Sequence, residues 1–224
     1  MNVKEAIYSR KATRVMDPNK PVDMKVVMEI LEDASHTASW ANSQPWEVFV
    51  ITGETLKKMN EIWREEFKEV PPSCHDIKTP GYDDWGMAPR CIENMSEWGS
   101  HRKEQLQDIP KEELDRLNIE TLRNNYYAPV IVILGYKKGL TEYSVYDLGA
   151  YEATLMLAAQ EKGLATMPAA TLTYFGDRLR EIADIPEDII ALAGVGIGYP
   201  DESSPLNKPT TTRNSIEKFV RIFE

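Results

Sequence analysis

The sequence predicts a single α+β domain of α/β-like character, in which helices flank a central sheet. Residues 129–135 (PVIVILG) form an apolar run that suits a central strand covered on both faces. Residues 143–162 form a helix that is apolar nearly all round, and such a helix must be buried within the domain or against a partner subunit. Helices and strands do not alternate strictly, which argues against a regular doubly wound sheet.

The other elements follow from periodicity and helix-end signals. Residues 2–9 have apolar side chains at helical spacing, and a second helix is predicted to begin near Asp23, a favourable N-cap residue. Gly163 is predicted to end the long helix as its C′ residue. Three or four strands are expected in all. The remaining predicted helices and strands cover residues 54–67, 175–184, 46–52, 164–169 and 188–199.

Residues 68–124 differ from the rest of this single domain, which spans residues 1–224. Prolines interrupt the segment and charged residues dominate it, which predicts loops and short helices that form a lid over one face. The large apolar residues of the lid are either anchors for a ligand or the lid's own core, and they are Tyr82, Trp85, Met87 and Trp98. Residues 200–224 form a C-terminal arm with an amphipathic stretch at 216–223.

Composition excludes several partners. The net charge of −10 makes the surface repel nucleic acid, so no nucleic-acid partner is expected. No apolar run is long enough to span a membrane. The first residues carry several charges and lack the apolar core of a signal peptide, from which we expect a cytoplasmic protein.

The usual catalytic motifs of hydrolases and metalloenzymes are missing from the sequence. Cys74 and Cys91 are read as reduced cysteines, and no metal site is predicted. The three histidines stand in no recognisable catalytic context. The glycine run at residues 194–198 precedes Tyr199 and Pro200 and not a helix, so it indicates close packing within a strand and not a dinucleotide fingerprint.

Two polar segments are candidates for a binding site. Arg10, Lys11 and Arg14 follow a short helix, where they either compensate its dipole or bind a phosphate. Asn42 and Gln44 lie in the loop N-S-Q-P-W, and their amides carry donors and acceptors that suit the edge of a pyrimidine-like ring. An ordinary polar turn is the alternative for this loop.

These segments together resemble the nitroreductase family, in which a basic R-R-S-x-R-like motif precedes N-x-Q-P-W. The resemblance extends over nearly the whole chain. Within the family, the chain is similar in particular to the nitrobenzoate-reductase-like subgroup. The further matching segments are NNYYAP at 124–129, Asp147-x-Gly149 with the helix after it, residues 162–166 (KGLAT), Gly196-x-Gly198-Tyr199-Pro200, and the tail from Asn207 through Arg213.

The resemblance implies a three-layer sandwich with a central mixed sheet of four to five strands, in an intertwined homodimer. It also implies FMN as cofactor, because the family's chemistry is carried by the flavin and no catalytic side chain is expected. NAD(P)H is the implied co-substrate, and electrons pass by a ping-pong mechanism to a small nitroaromatic or quinone-like acceptor. The implied FMN contacts are Arg10, Lys11, Ala12 and Arg14 at the phosphate, ribityl chain and N1/O2 side, Asn42 and Gln44 at the pyrimidine edge, Ala170 and Thr171 near N5, and Arg213 at the phosphate.

Three positions depart from the family pattern. Ala12 stands where the family usually has serine, which removes one hydroxyl contact. Thr211 replaces a common basic residue of the arm, where Lys208 can substitute. Ala170 occupies a position that is often Glu or Gln, although a backbone N–H makes that contact with any side chain.

Other activities are open on the same scaffold. Reductive dehalogenation and flavin breakdown both occur among relatives of the family. A non-catalytic flavin-binding protein is a further alternative, which NAD(P)H reduction of the bound flavin distinguishes from an enzyme.

Overall fold

The computed structural model of the chain describes residues 1–68, 75–77 and 88–224. These residues form one four-stranded sheet with helices on both faces. The helices are α1 (Val3–Ser9), α2 (Met24–Ser35), α3 (Gly53–Glu66), α4 (Pro89–Gln105), α5 (Lys111–Arg123), α6 (Glu142–Glu161) and α7 (Gly176–Ala183), and the strands are β1 (Trp46–Ile51), β2 (Val130–Lys137), β3 (Ala165–Ala169) and β4 (Ile189–Gly198).

The strand order in the sheet is β1-β2-β4-β3, and every pair of neighbouring strands is antiparallel. The expectation of a mixed sheet is therefore wrong for the four strands, and the parallel element here is a single bridge between Ala12 and Thr166 at the outer edge of β3. Strand β2 is central and buried along all but its last residue, as its apolar sequence predicts.

Helices cover each face of the sheet, which confirms the three-layer arrangement. On one face, α2 and α6 contribute side chains such as Ile30 and Leu155 to a cluster with the β2 residues Val132 and Leu134. On the opposite face, α3 and α7 pack Trp63 and other apolar side chains against the sheet. Burial of these two apolar surfaces is the main favourable contribution to folding.

The glycines of β4 permit close packing, as the sequence indicates. A Cβ added to Gly194 would lie 2.4 Å from Cβ of Leu172, and one added to Gly196 would lie 2.9 Å from Cβ of Ala128. Such distances are shorter than the contacts that real Cβ atoms make with non-bonded carbon atoms. These glycines therefore bring the turn after β3 and the start of β2 directly against β4.

Gly163 is the C′ residue of helix α6, as predicted, and it has a φ of +75°. The N–H of Leu164 donates to the carbonyl of Ala159 at 2.9 Å, and the N–H of Gly163 donates to Gln160 at 3.1 Å, which is a Schellman ending. The domain buries one side of α6, including Leu155. The opposite side is exposed. The described residues therefore do not bury the helix on every side, although its apolar composition predicts such burial.

The segment predicted as a lid of loops and short helices contains two long helices. Helix α4 has 17 residues and α5 has 13. The sequence prediction of helix length was wrong because charged side chains support these helices, as in the contacts of Arg116 with Glu113 and Glu120 one turn away. Trp98 lies on α4, while Cys74, Tyr82, Trp85 and Met87 lie outside the described residues.

The C-terminal arm contains little regular structure. The amphipathic stretch at 216–223 contains a short 3₁₀ turn (Ile216–Lys218). Its apolar side chains are exposed, and Phe223 is 92% accessible to solvent. No residue within 1–68, 75–77 and 88–224 covers them, and a surface of this kind is typical of an interface with another molecule.

Candidate functional site

The basic segment at residues 10–14 is fixed along the edge of the sheet. Helix α1 ends at Ser9, and Arg10 is its C-cap residue in an extended conformation. The chain then runs beside β3, where the N–H of Thr13 donates to the carbonyl of Thr166 at 2.9 Å. This pairing holds the backbone of the basic segment at a defined position relative to the sheet.

A second constraint on the segment comes from the C-terminal arm. The buried side chain of Asn207 accepts hydrogen bonds from the N–H groups of Arg14 and Val15, at 2.8 and 2.9 Å. Its amide donates to the carbonyls of Val15 and Asp201, at 2.7 and 2.9 Å. In addition, Nζ of Lys11 donates to the carbonyl of Asn207 at 2.7 Å. The arm and the basic segment therefore form one rigid unit.

A cavity of about 580 Å³ opens beside this unit. Its apolar wall comes from α6 through Ala153, Met156 and Leu157, and Pro168 of β3 adds to it. Ala12 and Thr211 also line the cavity. Five cationic side chains surround it, and they are Arg10, Lys11, Arg14, Arg102 and Arg213.

The charge of this cavity stands out in a protein whose net charge is −10. Within the part of the chain that the structure describes, none of the five cations forms a salt bridge with a carboxylate. Cations gathered without compensation repel one another, and an anionic ligand removes that repulsion. The cavity can therefore bind a polyanion such as a phosphate ester.

Arg102 and Trp98 belong to this cavity, although Arg102 was missing from the sequence prediction. Both residues lie on α4, and the guanidinium carbon of Arg14 stands 5.9 Å from the centre of the Trp98 ring. Burial, together with the charge of Arg14, lowers the pKa of Arg102. No motif in the sequence marks Arg102, because its proximity to Arg14 depends on how α4 packs.

Ala170 and Thr171 form the start of a 3₁₀ turn (Ala170–Thr173) directly after β3. The hydroxyl groups of Thr171 and Tyr126 share a 2.7 Å hydrogen bond, and the indole N–H of Trp63 donates to the carbonyl of Thr171 at 3.0 Å. Burial raises the pKa of Tyr126. Tyr126 also has a φ of +61°, in the left-handed region, as do its neighbours Asn125 and Tyr127.

Asn42 and Gln44 do not approach the cavity of their own chain. Both are exposed, and both have positive φ values, of +59° and +46°. The loop is held by its neighbour Trp40, whose N–H donates to the buried carboxylate of Asp147 at 3.0 Å. Asp147 lies in the first half of α6, whereas the residues of α6 that line the cavity lie in its second half. With a rise of 1.5 Å per residue, Asp147 and Leu157 are about 15 Å apart along the helix.

The structure therefore brings together five of the nine residues that the sequence analysis selected, Arg10, Lys11, Ala12, Arg14 and Arg213. Ala170 and Thr171 follow Pro168 of the cavity wall. Asn42 and Gln44 are on a separate surface. Among residues 1–68, 75–77 and 88–224, no cluster of side chains suited to a metal ion is found. No helix of these described residues is long and apolar enough to cross a membrane.

The fold and the cavity define an α+β protein with a binding site for an anionic ligand. The model of the nitroreductase family matches residues 7–199. The chain belongs to the nitroreductase family. Two relatives cover almost its full length. The 4-nitrobenzoate reductase of Pseudomonas putida is 26% identical over 219 residues, which are 96% of this chain and 92% of that protein. The nitrobenzene nitroreductase of Ectopseudomonas oleovorans is 27% identical, over 97% of this chain and 95% of that protein.

Solved structures have the same fold. The FMN-dependent nitroreductase NfnB of Mycobacterium smegmatis, in complex with NADPH, superposes with a TM-score of 0.86 at 25% identity. The match covers 99% of this chain and 97% of that one. This agreement confirms the predicted fold class and the family resemblance.

Proposed function

We propose that the chain is an FMN-dependent oxidoreductase that transfers two electrons from NAD(P)H to a small nitroaromatic or quinone-like acceptor. The observation that carries the proposal is the cavity with its five cations, which have no carboxylate partner in the described residues. Family membership supports it, and so do the FMN and NADPH named for the matching structure.

The residues around the cavity fit FMN. Arginine offers a planar fork of donors that suits a phosphate, which Arg10 and Arg213 supply from two separated parts of the chain, and Lys11 adds an ammonium charge. The apolar wall from α6 suits the flat face of a flavin ring. The loss of a serine hydroxyl at Ala12 and of a basic side chain at Thr211 leaves these three cations as the main phosphate ligands.

When bound, FMN supplies a ring nitrogen that accepts hydride and a conjugated system that passes two electrons to an acceptor. The chain's own task is to orient the ring and to stabilise negative charge. Arg14 provides a positive charge for the N1/O2 side of the ring. The backbone N–H of Ala170, or of Thr171 beside it, would donate near N5, and the contacts of Thr171 with Trp63 and Tyr126 support this role by holding the turn.

A homodimer accounts for the separation of Asn42 and Gln44 from the cavity of their own chain. Both residues belong to a loop that lies beside the exposed side of α6, since the exposed ring of Trp40 is 5.1 Å from that of Tyr143. Two copies that pack through α6 bring the loop of one copy toward the cavity of the other. The exposed apolar residues of α6 and of the C-terminal arm support such an intertwined contact, since Tyr146 is 75% and Ile222 is 80% exposed.

A ping-pong order of reaction is part of the proposal. NAD(P)H would leave before the acceptor enters if the cavity beside the basic segment serves both reactants. The need for NAD(P)H also supports a cytoplasmic location, where this reductant is abundant. The acceptor class rests on the relatives, which are named for nitrobenzoate and nitrobenzene.

An anaerobic absorbance spectrum of the purified protein tests this function. We expect flavin bands near ~450 nm that bleach when NADH or NADPH is added and return when a nitroaromatic is added. Bound flavin that neither nucleotide reduces would leave a flavin-binding protein without this activity. A colourless protein that takes up no added FMN would contradict the proposal.

A further inference from the structure

Arg102 is a cation of the cavity that the family's cofactor motifs leave out. Its side chain is half-buried on α4, and its Nη2 donates to Oδ1 of Asn118 at 2.9 Å. Its Nε is fully buried and has no hydrogen-bond partner among the described residues. A buried charged donor without an acceptor is unfavourable. The fold therefore holds this donor in place for an acceptor that the described chain does not provide.

Arg14 is close to Arg102 at the same corner of the cavity. The two residues line a smaller recess of about 250 Å³, together with Trp98, Asn118 and Tyr126. The positive charge of Arg14 lowers the pKa of Arg102, which means that the two guanidinium groups repel each other. Neither one pairs with a carboxylate within the ranges that the structure describes. An anion placed between the two guanidinium groups removes the repulsion.

We propose that Arg14 and Arg102 form a binding site for a planar anion whose acceptor atoms share one plane. Guanidinium groups bind such anions through parallel hydrogen bonds. Trp98 adds an aromatic wall for a ring attached to the anion. This inference rests on the proposed function, because the recess adjoins the cavity assigned to FMN.

Two ligands could supply such a planar anion. One is the carboxylate of an aromatic acceptor, and the other is the N1–C2–O2 edge of the flavin, which becomes anionic on reduction. The first source makes Arg102 a determinant of acceptor specificity. The second source makes it a determinant of the flavin potential. The same pair of variants distinguishes them.

The test variant is Arg102→Gln, which keeps a polar side chain but removes the charge and the planar fork. Lys103→Gln is the matched control, since Lys103 is the next residue of α4, is exposed and lies outside the recess. The FMN-loaded proteins are titrated with benzoate and with neutral benzamide, and binding is followed by the visible spectrum. The two-electron midpoint potential of each protein is measured separately.

A carboxylate source predicts that Arg102→Gln weakens benzoate binding about tenfold, as expected for the loss of a charge-assisted pair, while benzamide binding changes less than about twofold. A flavin source predicts unchanged benzoate binding and a potential lowered by about 30 mV, which is a tenfold change in a two-electron equilibrium. Either result supports the site, provided that Lys103→Gln behaves as the wild type does.

Arg102→Gln proteins that match the control in benzoate affinity and in potential would overturn the inference. An equal loss of benzoate and benzamide binding would overturn it too, because it indicates general damage to the recess. Arg102→Lys keeps the charge on α4 and serves where the glutamine variant folds poorly, with an intermediate effect expected on the same readouts. Failure of the wild type to bind FMN would contradict the proposed function and not the arginine pair.

Discussion

Arg14 and Asn207 are 193 positions apart in the sequence, and a 2.8 Å hydrogen bond joins them. The bond fixes the backbone of the basic segment from the side of the C-terminal arm. Because the Asn207 side chain makes four bonds to main-chain groups, it works as a substitute for a strand partner. The position of Arg14 in the cavity therefore depends on a residue that does not line the main cavity.

Replacing Asn207 by Leu is expected to destabilise the protein by about 2–4 kcal/mol, because it leaves the N–H groups of Arg14 and Val15 without an acceptor. We also expect weaker FMN binding, since the basic segment loses its support. Urea denaturation and FMN titration measure the two effects. Asn19→Leu, at an exposed position, is the control. Equal stability of the two variants would contradict the role given to Asn207.

Replacing Arg14 by Ala is expected to lower the midpoint potential of the bound flavin, because a positive charge beside the N1/O2 edge favours the reduced form. A shift on the order of 30 mV corresponds to one tenfold change in the equilibrium. Lys25→Ala removes the same charge from the exposed start of α2 and should leave the potential unchanged. An unaltered potential in the Arg14 variant would refute this role.

Gly149 lies in the middle of α6 on its exposed side, where an added Cβ meets no atom within 4 Å. On a free surface, Gly149→Arg would stabilise the helix by about 0.8–1 kcal/mol through higher helix propensity. At the proposed dimer interface the same change places a charged side chain between two copies. We expect sedimentation to report monomers with reduced FMN affinity.

Gly149→Ala is the control for helix propensity, and its small methyl group should leave the dimer intact. A Gly149→Arg protein that remains a dimer and keeps its FMN affinity would exclude α6 as the interface. The two outcomes differ in the sedimented mass and in FMN affinity, so they cannot be confused.

Burial raises the pKa of the Glu152 carboxyl on α6, and its side chain has no hydrogen bond to another described residue. A raised folded-state pKa means that the stability contributed by this group is present below the unfolded pKa and is lost as pH rises through the folded pKa. Glu152→Gln should therefore be more stable than the wild type at neutral pH, with a difference that shrinks as pH falls.

Urea denaturation between acidic and neutral pH measures this difference. Glu161→Gln, at the exposed end of the same helix, should show little of it. Parallel pH profiles for the Glu152 variant and the wild type would show that the carboxyl is as well solvated in the folded protein as in the unfolded chain.

Local patterns in the sequence were sufficient for much of the fold. The apolar run of β2, the glycines of β4 and the end of α6 at Gly163 all follow from burial and backbone sterics that act within a few residues. The lengths of α4 and α5 were not predictable from apolar periodicity, because charged pairs such as Arg116 with Glu120 support helices that bury little surface.

The residues of the candidate site likewise divide into those that local sequence identifies and those that only the fold brings together. The basic segment was recognisable because its cations are adjacent in sequence. Arg102 was not recognisable, and the tail from Asn207 was recognised without its contact to Arg14, since both relationships depend on packing between distant elements. The placement of Asn42 and Gln44 on another surface could not be predicted either, because the motif identifies residue types and not the surface on which the fold places them.

The three consecutive left-handed residues at positions 125–127 determine which substitutions this part of the chain tolerates. For residues with a Cβ, this backbone region costs roughly 1–2 kcal/mol per residue, and branching at Cβ makes it less accessible still. A deep mutational scan should therefore give an unusual profile at Tyr127, where glycine is accepted more readily than valine or isoleucine. The same preference makes Tyr127 a natural target for stabilisation by design, whereas its neighbour Tyr126 lines the recess with Arg14 and Arg102.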